Sequence, residues 1–136
     1  MIGPEYRPYV LDTSALLALI EDDAGAERVE ELLRSQQVYL PFVVRLEAYD
    51  ITRQERSRDE AELRLARIRQ LPVHWLDQVS DSVLSTAGRF KAVHRLSLGD
   101  ALIAAFAADL DAILVHKDPE YDALATVVAQ ERLPLK

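Results

Sequence analysis

Short apolar runs alternating with longer amphipathic stretches constrain this chain more than any other feature of its sequence. Four runs, Tyr9–Leu11, Val38–Phe42, Val73–Leu76 and Ala112–Val115, have the length of strands and are apolar enough to be covered on both faces. The segments between them carry helical spacing. Asp23–Ser35 places Val29, Leu32 and Leu33 on one face, with Asp22 or Asp23 as its cap. Val43–Arg56 and Asp59–Leu71 follow the second run, with Asp59 as the break between two helices. Ser80–Val93 opens on serine and aspartate cap candidates, and Leu98–Leu110 is apolar almost throughout. The closing stretch Arg132–Leu135 is read as an edge strand, a position that tolerates Pro134. This alternation predicts an α/β fold: one domain over residues 1–136, with a mainly parallel central sheet flanked by helices.

Composition narrows the chemistry such a domain can hold. With 136 residues, 49% of them hydrophobic, the chain can bury one sizeable core. There is no cysteine, which excludes disulfides and thiolate zinc sites. His74, His94 and His116 are too dispersed for a histidine-based metal motif, so any metal site must be oxygen-rich. Glu5 and Asp12 interrupt the N-terminal region where a secretory signal would lie, the extension through Pro8 is unremarkable, and no stretch approaches the roughly 18 apolar residues of a membrane span. The expected location is the cytoplasm. A formal charge of −7 argues against nucleic-acid binding through overall charge, although local charge can differ from the total. Arg45, Arg53, Arg56, Arg58, Arg64, Arg67 and Arg69 crowd one region, interleaved with acids as on an ion-paired helical surface.

Four acids interrupt this apolar pattern at suggestive places. Asp12 follows the first strand and precedes a helical run, at the sheet edge where ligands of open α/β folds collect, and it equally suits a helix cap. Asp118 repeats the arrangement after the last long apolar run, with Pro119 suited to a first helical turn. Asp100 opens a helix that reads as buried nearly all round, where a carboxylate needs a cation, a proton or a capping role beside Ser97. Glu47 shares a helical face with Val43, Val44 and Ile51 after the second strand. Asp50, one turn on, is assigned to the surface.

The order "LDTSALLAL", "VRLEAYDI", "LSLGDALIAAFA", "ILVHKDPEYDAL" resembles the PIN domain, and most closely the VapC-type ribonuclease toxins of toxin–antitoxin pairs. The resemblance covers nearly the whole chain. It implies that Asp12, Glu47, Asp100 and Asp118 are catalytic, metal-binding carboxylates, that Thr13 and Ser14 support the first of them, and that Glu120 and Tyr121 occupy an acidic and an aromatic position of the family. It also implies an endoribonuclease, a cognate antitoxin partner, a homodimer, and an antitoxin groove to which Leu16, Leu17, Leu32, Leu33, Val44 and Ile51 contribute. His116 departs from the family, which commonly has threonine or serine there.

The residues support the same chemistry without the resemblance. Clustered carboxylates repel one another, and hard ions such as Mg2+ or Mn2+ relieve that repulsion while activating water for phosphodiester hydrolysis. Arg45, Lys91, His94, Arg95 and Lys117 are candidates to hold an RNA strand. A phosphotransferase of the haloacid-dehalogenase kind needs a second acid where Ser14 stands, and a receiver domain leaves Glu47 and Asp100 unexplained. A non-catalytic PIN-like binding or scaffold module is the remaining alternative; loss of an acid would mark it, and none is lost.

Overall fold

Five strands of three or four residues each hydrogen-bond into one sheet: β1 (Tyr9–Leu11), β2 (Val38–Pro41), β3 (His74–Leu76), β4 (Ile113–His116) and β5 (Gln130–Arg132). Their order is β3-β2-β1-β4-β5 and every pairing is parallel. This computed structural model describes residues 7–136. Helices α1 (Thr13–Ile20), α2 (Ala26–Ser35), α3 (Phe42–Glu55), α4 (Arg58–Ile68), α5 (Asp81–Val93) and α6 (Leu98–Asp109) supply the crossovers, and a 3-10 helix (Pro119–Leu124) joins β4 to β5. The α/β fold with a parallel sheet is as the alternation predicted. The N-terminal extension and Glu5 lie largely outside the described residues, although Arg7 pairs with Asp111 at 2.9 Å.

The sheet reverses direction beside its central strand. β1 is followed by β2 and β3 on one side, whereas β4 returns to pair on the other, Val10 lying between Tyr39 and Leu114. Such a reversal leaves a crevice at the carboxyl ends of the two strands, because the connections leaving them diverge. Val10, Leu11, Leu40 and Leu114 are fully buried, which explains why these runs are apolar without alternation. α6 packs on β1 and β4, with Ile103, Ala104 and Ala107 fully buried.

The ends of several elements differ from the sequence expectation, and a competing hydrogen bond accounts for most of them. Ala112 is outside β4 because its amide donates to Ala107 O at the end of α6, and Val73 is outside β3 because its amide donates to Leu71 O. Pro41 both closes β2 and precedes the first turn of α3, so Phe42 is helical. The break between α3 and α4 falls at Arg56 and Ser57, where Ser57 Oγ accepts the Glu60 amide; Asp59 lies inside the first turn instead, where its charge suits the helix dipole. Neither Asp22 nor Asp23 caps α2. Gly25 stands there with φ 95°, and Asp23 is occupied by the Ala24 amide. The edge strand is Gln130–Arg132, one turn earlier than expected, and Pro134 follows it. Ser80 and Ser97 do cap α5 and α6. Leu16, Leu32 and Val44 are fully buried core residues, so they cannot line a groove, while Leu17, Leu33 and Ile51 are half-buried. No helix among the described residues is long and apolar enough to cross a membrane.

Candidate metal centre

The sheet brings the four sequence-selected acids to one edge, each from a different connection. Asp12 leaves β1 directly, its amide donating to Val115 O across the crevice at 3.1 Å. Asp118 stands two residues beyond β4, Glu47 in the second turn of α3, and Asp100 in the first turn of α6. Helices that follow or precede parallel strands start or end at this edge, so the topology alone places these positions together.

Each acid is held by one of its oxygens. Asp12 Oδ1 accepts the Ala15 amide at 2.8 Å and the Ser14 hydroxyl at 2.7 Å, so it caps α1 as well as facing the crevice. Ser14 Oγ in turn accepts the Lys117 amide at 2.9 Å and ties the two sides of the crevice together. Thr13 Oγ1 donates to Glu47 Oε1 at 2.5 Å. The Tyr121 hydroxyl donates to Asp100 Oδ1 at 3.1 Å, and the Glu120 amide to Asp118 Oδ1 at 2.9 Å. Among the described residues, the second oxygen of each acid makes no hydrogen bond and none of the four pairs with a lysine or arginine. Carboxylate oxygens of Asp100, Asp118 and Glu120 lie within 4.8 Å of one another. Glu120 therefore joins the cluster closely.

Gly99 shows how tightly the acids are set. A Cβ built there would fall on the Glu47 carboxylate, so the present place of that carboxylate beside Asp100 depends on residue 99 having no side chain. The sequence carried a signal for this, a glycine in the first turn of an otherwise helix-forming run. The remaining missed residue, Gln130, has no such signal.

Electrostatics follow from burial and crowding. Asp12 is 3% exposed. Burial pushes its carboxyl up to about 7 against the Ser14 and Ala15 hydrogen bonds, with Asp100 and Asp118 adding repulsion. Burial also raises Asp100 to about 6, opposed by the Tyr121 bond and reinforced by Asp118, Glu47 and Glu120. Asp100 is only half-buried, contrary to the reading of α6 as buried all round, because Ser97 and Leu98 before it face solvent. The deeply buried acid is Asp12, at the end of the central strand. Burial and the nearby acids hold the Tyr121 phenol protonated, which keeps it a donor. His116 is fully buried, and burial lowers its pKa. An all-oxygen set with free second oxygens and no protein cation fits a hard divalent ion.

The candidate strand-holding cations divide. Arg45 lies over the Trp75 ring at 4.6 Å and pairs with Asp77, Lys91 donates to Leu96 O, and Lys117 donates to Ala24 O beside Asp23. Those three are engaged in the fold. Arg95 is exposed, just before the Ser97 cap of α6, and His94 is half-buried. Asp50 is exposed and accepts only from Gln54, in keeping with its surface assignment.

Residues 9–127 match the family model for the PIN domain. The chain belongs to the PIN domain family. No curated protein matches the sequence. Among solved structures, this PIN domain is similar to VapBC2 from Rickettsia felis bound to a DNA fragment from their promoter, with TM-score 0.76, 16% identity and coverage of 93% of this chain and 99% of that one. It is similar to Mycobacterium tuberculosis VapC20, described as a sarcin-ricin loop cleaving toxin, with TM-score 0.70, 22% identity and coverage of 93% and 99%. It is also similar to VapBC-5 of the same organism, a member of the VapBC family of toxin-antitoxin systems, with TM-score 0.60, 20% identity and coverage of 95% and 99%.

Proposed function

We propose that this PIN domain is a divalent-metal-dependent endoribonuclease, the toxin of a toxin–antitoxin pair, with Asp12, Glu47, Asp100 and Asp118 as its catalytic, metal-binding acids. The observation that carries the reading is the division of labour within each carboxylate, one oxygen tethered to the fold and the other left without a protein partner. Mg2+ or Mn2+ fits such a set, as an ion that prefers oxygen ligands and keeps several waters. A bound ion would supply a Lewis acid for the phosphate and lower the pKa of an attacking water.

The chain's own residues do the positioning. Ser14 and Ala15 fix Asp12, Thr13 fixes Glu47, Tyr121 fixes Asp100, and the start of the 3-10 helix fixes Asp118. Glu120, exposed beside Asp118 and Asp100, stands where an acid can accept a proton from water or from a leaving group. Recesses between the Asp22–Arg28 turn and Pro134, and beside Arg45, Leu46, Tyr49, Glu62 and Leu65, are not lined by the acids. An open acidic edge suits a polymer backbone that passes across it better than an enclosed small molecule. The neighbours' descriptions, a sarcin-ricin loop cleaving toxin and a toxin-antitoxin system, support RNA as substrate class and an antitoxin as partner.

The test is RNA cleavage by purified protein with Mg2+ or Mn2+, in excess EDTA, and after Asp12→Asn. Asparagine keeps the cap to Ala15 and removes the charge, so the variant should stay folded and lose about a hundredfold or more in rate. Full cleavage in chelator, or an active folded Asp12→Asn protein, would overturn the assignment.

A further inference from the structure

His116 is an imidazole with no exposure, and both its nitrogens are in use. Nδ1 accepts the Asp118 amide at 3.0 Å. A main-chain N–H can only donate, so Nδ1 carries a lone pair and the ring proton of the neutral form sits on Nε2. Nε2 then donates to Gln130 Oε1 at 2.8 Å, which leaves Gln130 Nε2 to donate to Tyr121 O at 2.8 Å. The polarity of the whole chain is fixed by that one amide. The His116 ring also packs on the Tyr121 ring, centroids 4.7 Å apart, and the hydroxyl of that tyrosine donates to Asp100. One arm of this bracket ends on Asp118 and the other on Asp100, two acids whose oxygens lie within 4.8 Å of each other.

We propose that His116, with its proton on Nε2, is a positioning residue that sets the Asp118 backbone and, with it, where the Asp118 carboxylate stands beside Asp100. Buried polar atoms need partners whatever their role, and an apolar side chain would fill the same space without that cost; what singles out His116 is that one of its partners is the amide of Asp118 itself. The inference rests on the metal-site reading above. Partners that orient ligands in this way typically change metal affinity by about 10–100-fold when lost.

The two amide isosteres separate the arms. The amide of asparagine lies as many bonds from the backbone as Nδ1, so His116→Asn keeps an acceptor for the Asp118 amide and loses Gln130. His116→Gln reaches Gln130 and leaves the Asp118 amide without its acceptor. Each variant loses one hydrogen bond and should melt lower in EDTA by a similar amount. In Mn2+ titrations by calorimetry, His116→Gln should bind about tenfold more weakly, while His116→Asn stays within about threefold of wild type. Equal losses of affinity in the two variants, or wild-type affinity in folded His116→Gln, would overturn the proposal. Should either variant fail to fold, long-range 15N–1H correlation on the wild type decides: a proton on Nε2 and none on Nδ1 is expected, and a ring protonated on Nδ1 at neutral pH overturns it. A wild type that binds no Mn2+ sinks the metal-site reading itself and the positioning role with it, whereas a metal-binding wild type with an indifferent His116→Gln sinks only the latter.

Discussion

In the Asp12 carboxyl, Oδ1 holds the first turn of α1 while Oδ2 makes no hydrogen bond among the described residues. That division makes its titration a probe of the site. Its carboxyl rises from 3.8 when unfolded to about 7 in the metal-free fold, and Asp100 rises to about 6. Between those values the folded protein binds more protons than the unfolded chain, so stability falls as pH rises through the window and the penalty is complete above about 7. Metal-free protein should therefore melt several degrees higher near pH 5 than near pH 8. Asp12→Asn should flatten that dependence, which thermal melts in EDTA will show; an unchanged slope would mean that Asp12 does not carry it. Gly99→Ala tests the opposite side of the cluster. Alanine is the better helix former by up to about 1 kcal/mol, yet its Cβ would displace the flexible end of Glu47. The variant should melt no lower than wild type and bind Mn2+ several-fold more weakly, so that stability and affinity move in different directions.

The helices are joined by polar ties whose role is mechanical. Arg64, 9% exposed, donates to Glu21 at the end of α1 and to Thr52 of α3, locking three helices together. Arg64→Ala should cost roughly 1–3 kcal/mol, because it removes a buried side chain and its hydrogen bonds to Thr52 and to the charged Glu21, which still has Arg56 beside it. Cleavage per folded molecule should not change; denaturant melts and rates measured together will separate the two effects. At this scale the sequence was largely legible. Apolar runs located four strands to within a residue, whereas the polar fifth strand overlaps its expected place only at Arg132; strand ends were decided by tertiary competition for single amides such as that of Ala112. Asp12, Asp100 and Asp118 stood out because each falls at an element boundary beside an apolar run, and Glu47, inside α3, through the face it shares with Val43, Val44 and Ile51. Neither the place of Gly99 against Glu47 nor the Gln130 link to His116 could be read, because each depends on how closely two distant segments approach.

Across the whole molecule, a net charge of −7 means that an RNA strand meets repulsion everywhere except where cations stand free. With Arg45, Lys91 and Lys117 engaged in the fold, exposed Arg95 is the residue best placed near α6 to meet a phosphate. Arg95→Ala should raise KM with little change in kcat and lower the salt dependence of RNA binding by about one ion. Arg45→Ala should instead reduce stability and leave that slope alone. Binding measured at several salt concentrations distinguishes them, and an unaltered slope in Arg95→Ala would remove it from the RNA path.

The strand order also sets when activity can first exist. β1 lies at the centre of the sheet and is made first, but Tyr9 finds Ile113 only after some hundred further residues, which a ribosome needs on the order of 5–20 s to add. Until then one edge of an apolar central strand has no neighbour, and the crevice that gathers the acids has only one wall. A nascent chain thus carries an uncovered strand edge and an incomplete set of acids for most of its synthesis. Asp12, already present at the start, has only Glu47 to meet until α6 and β4 bring Asp100 and Asp118.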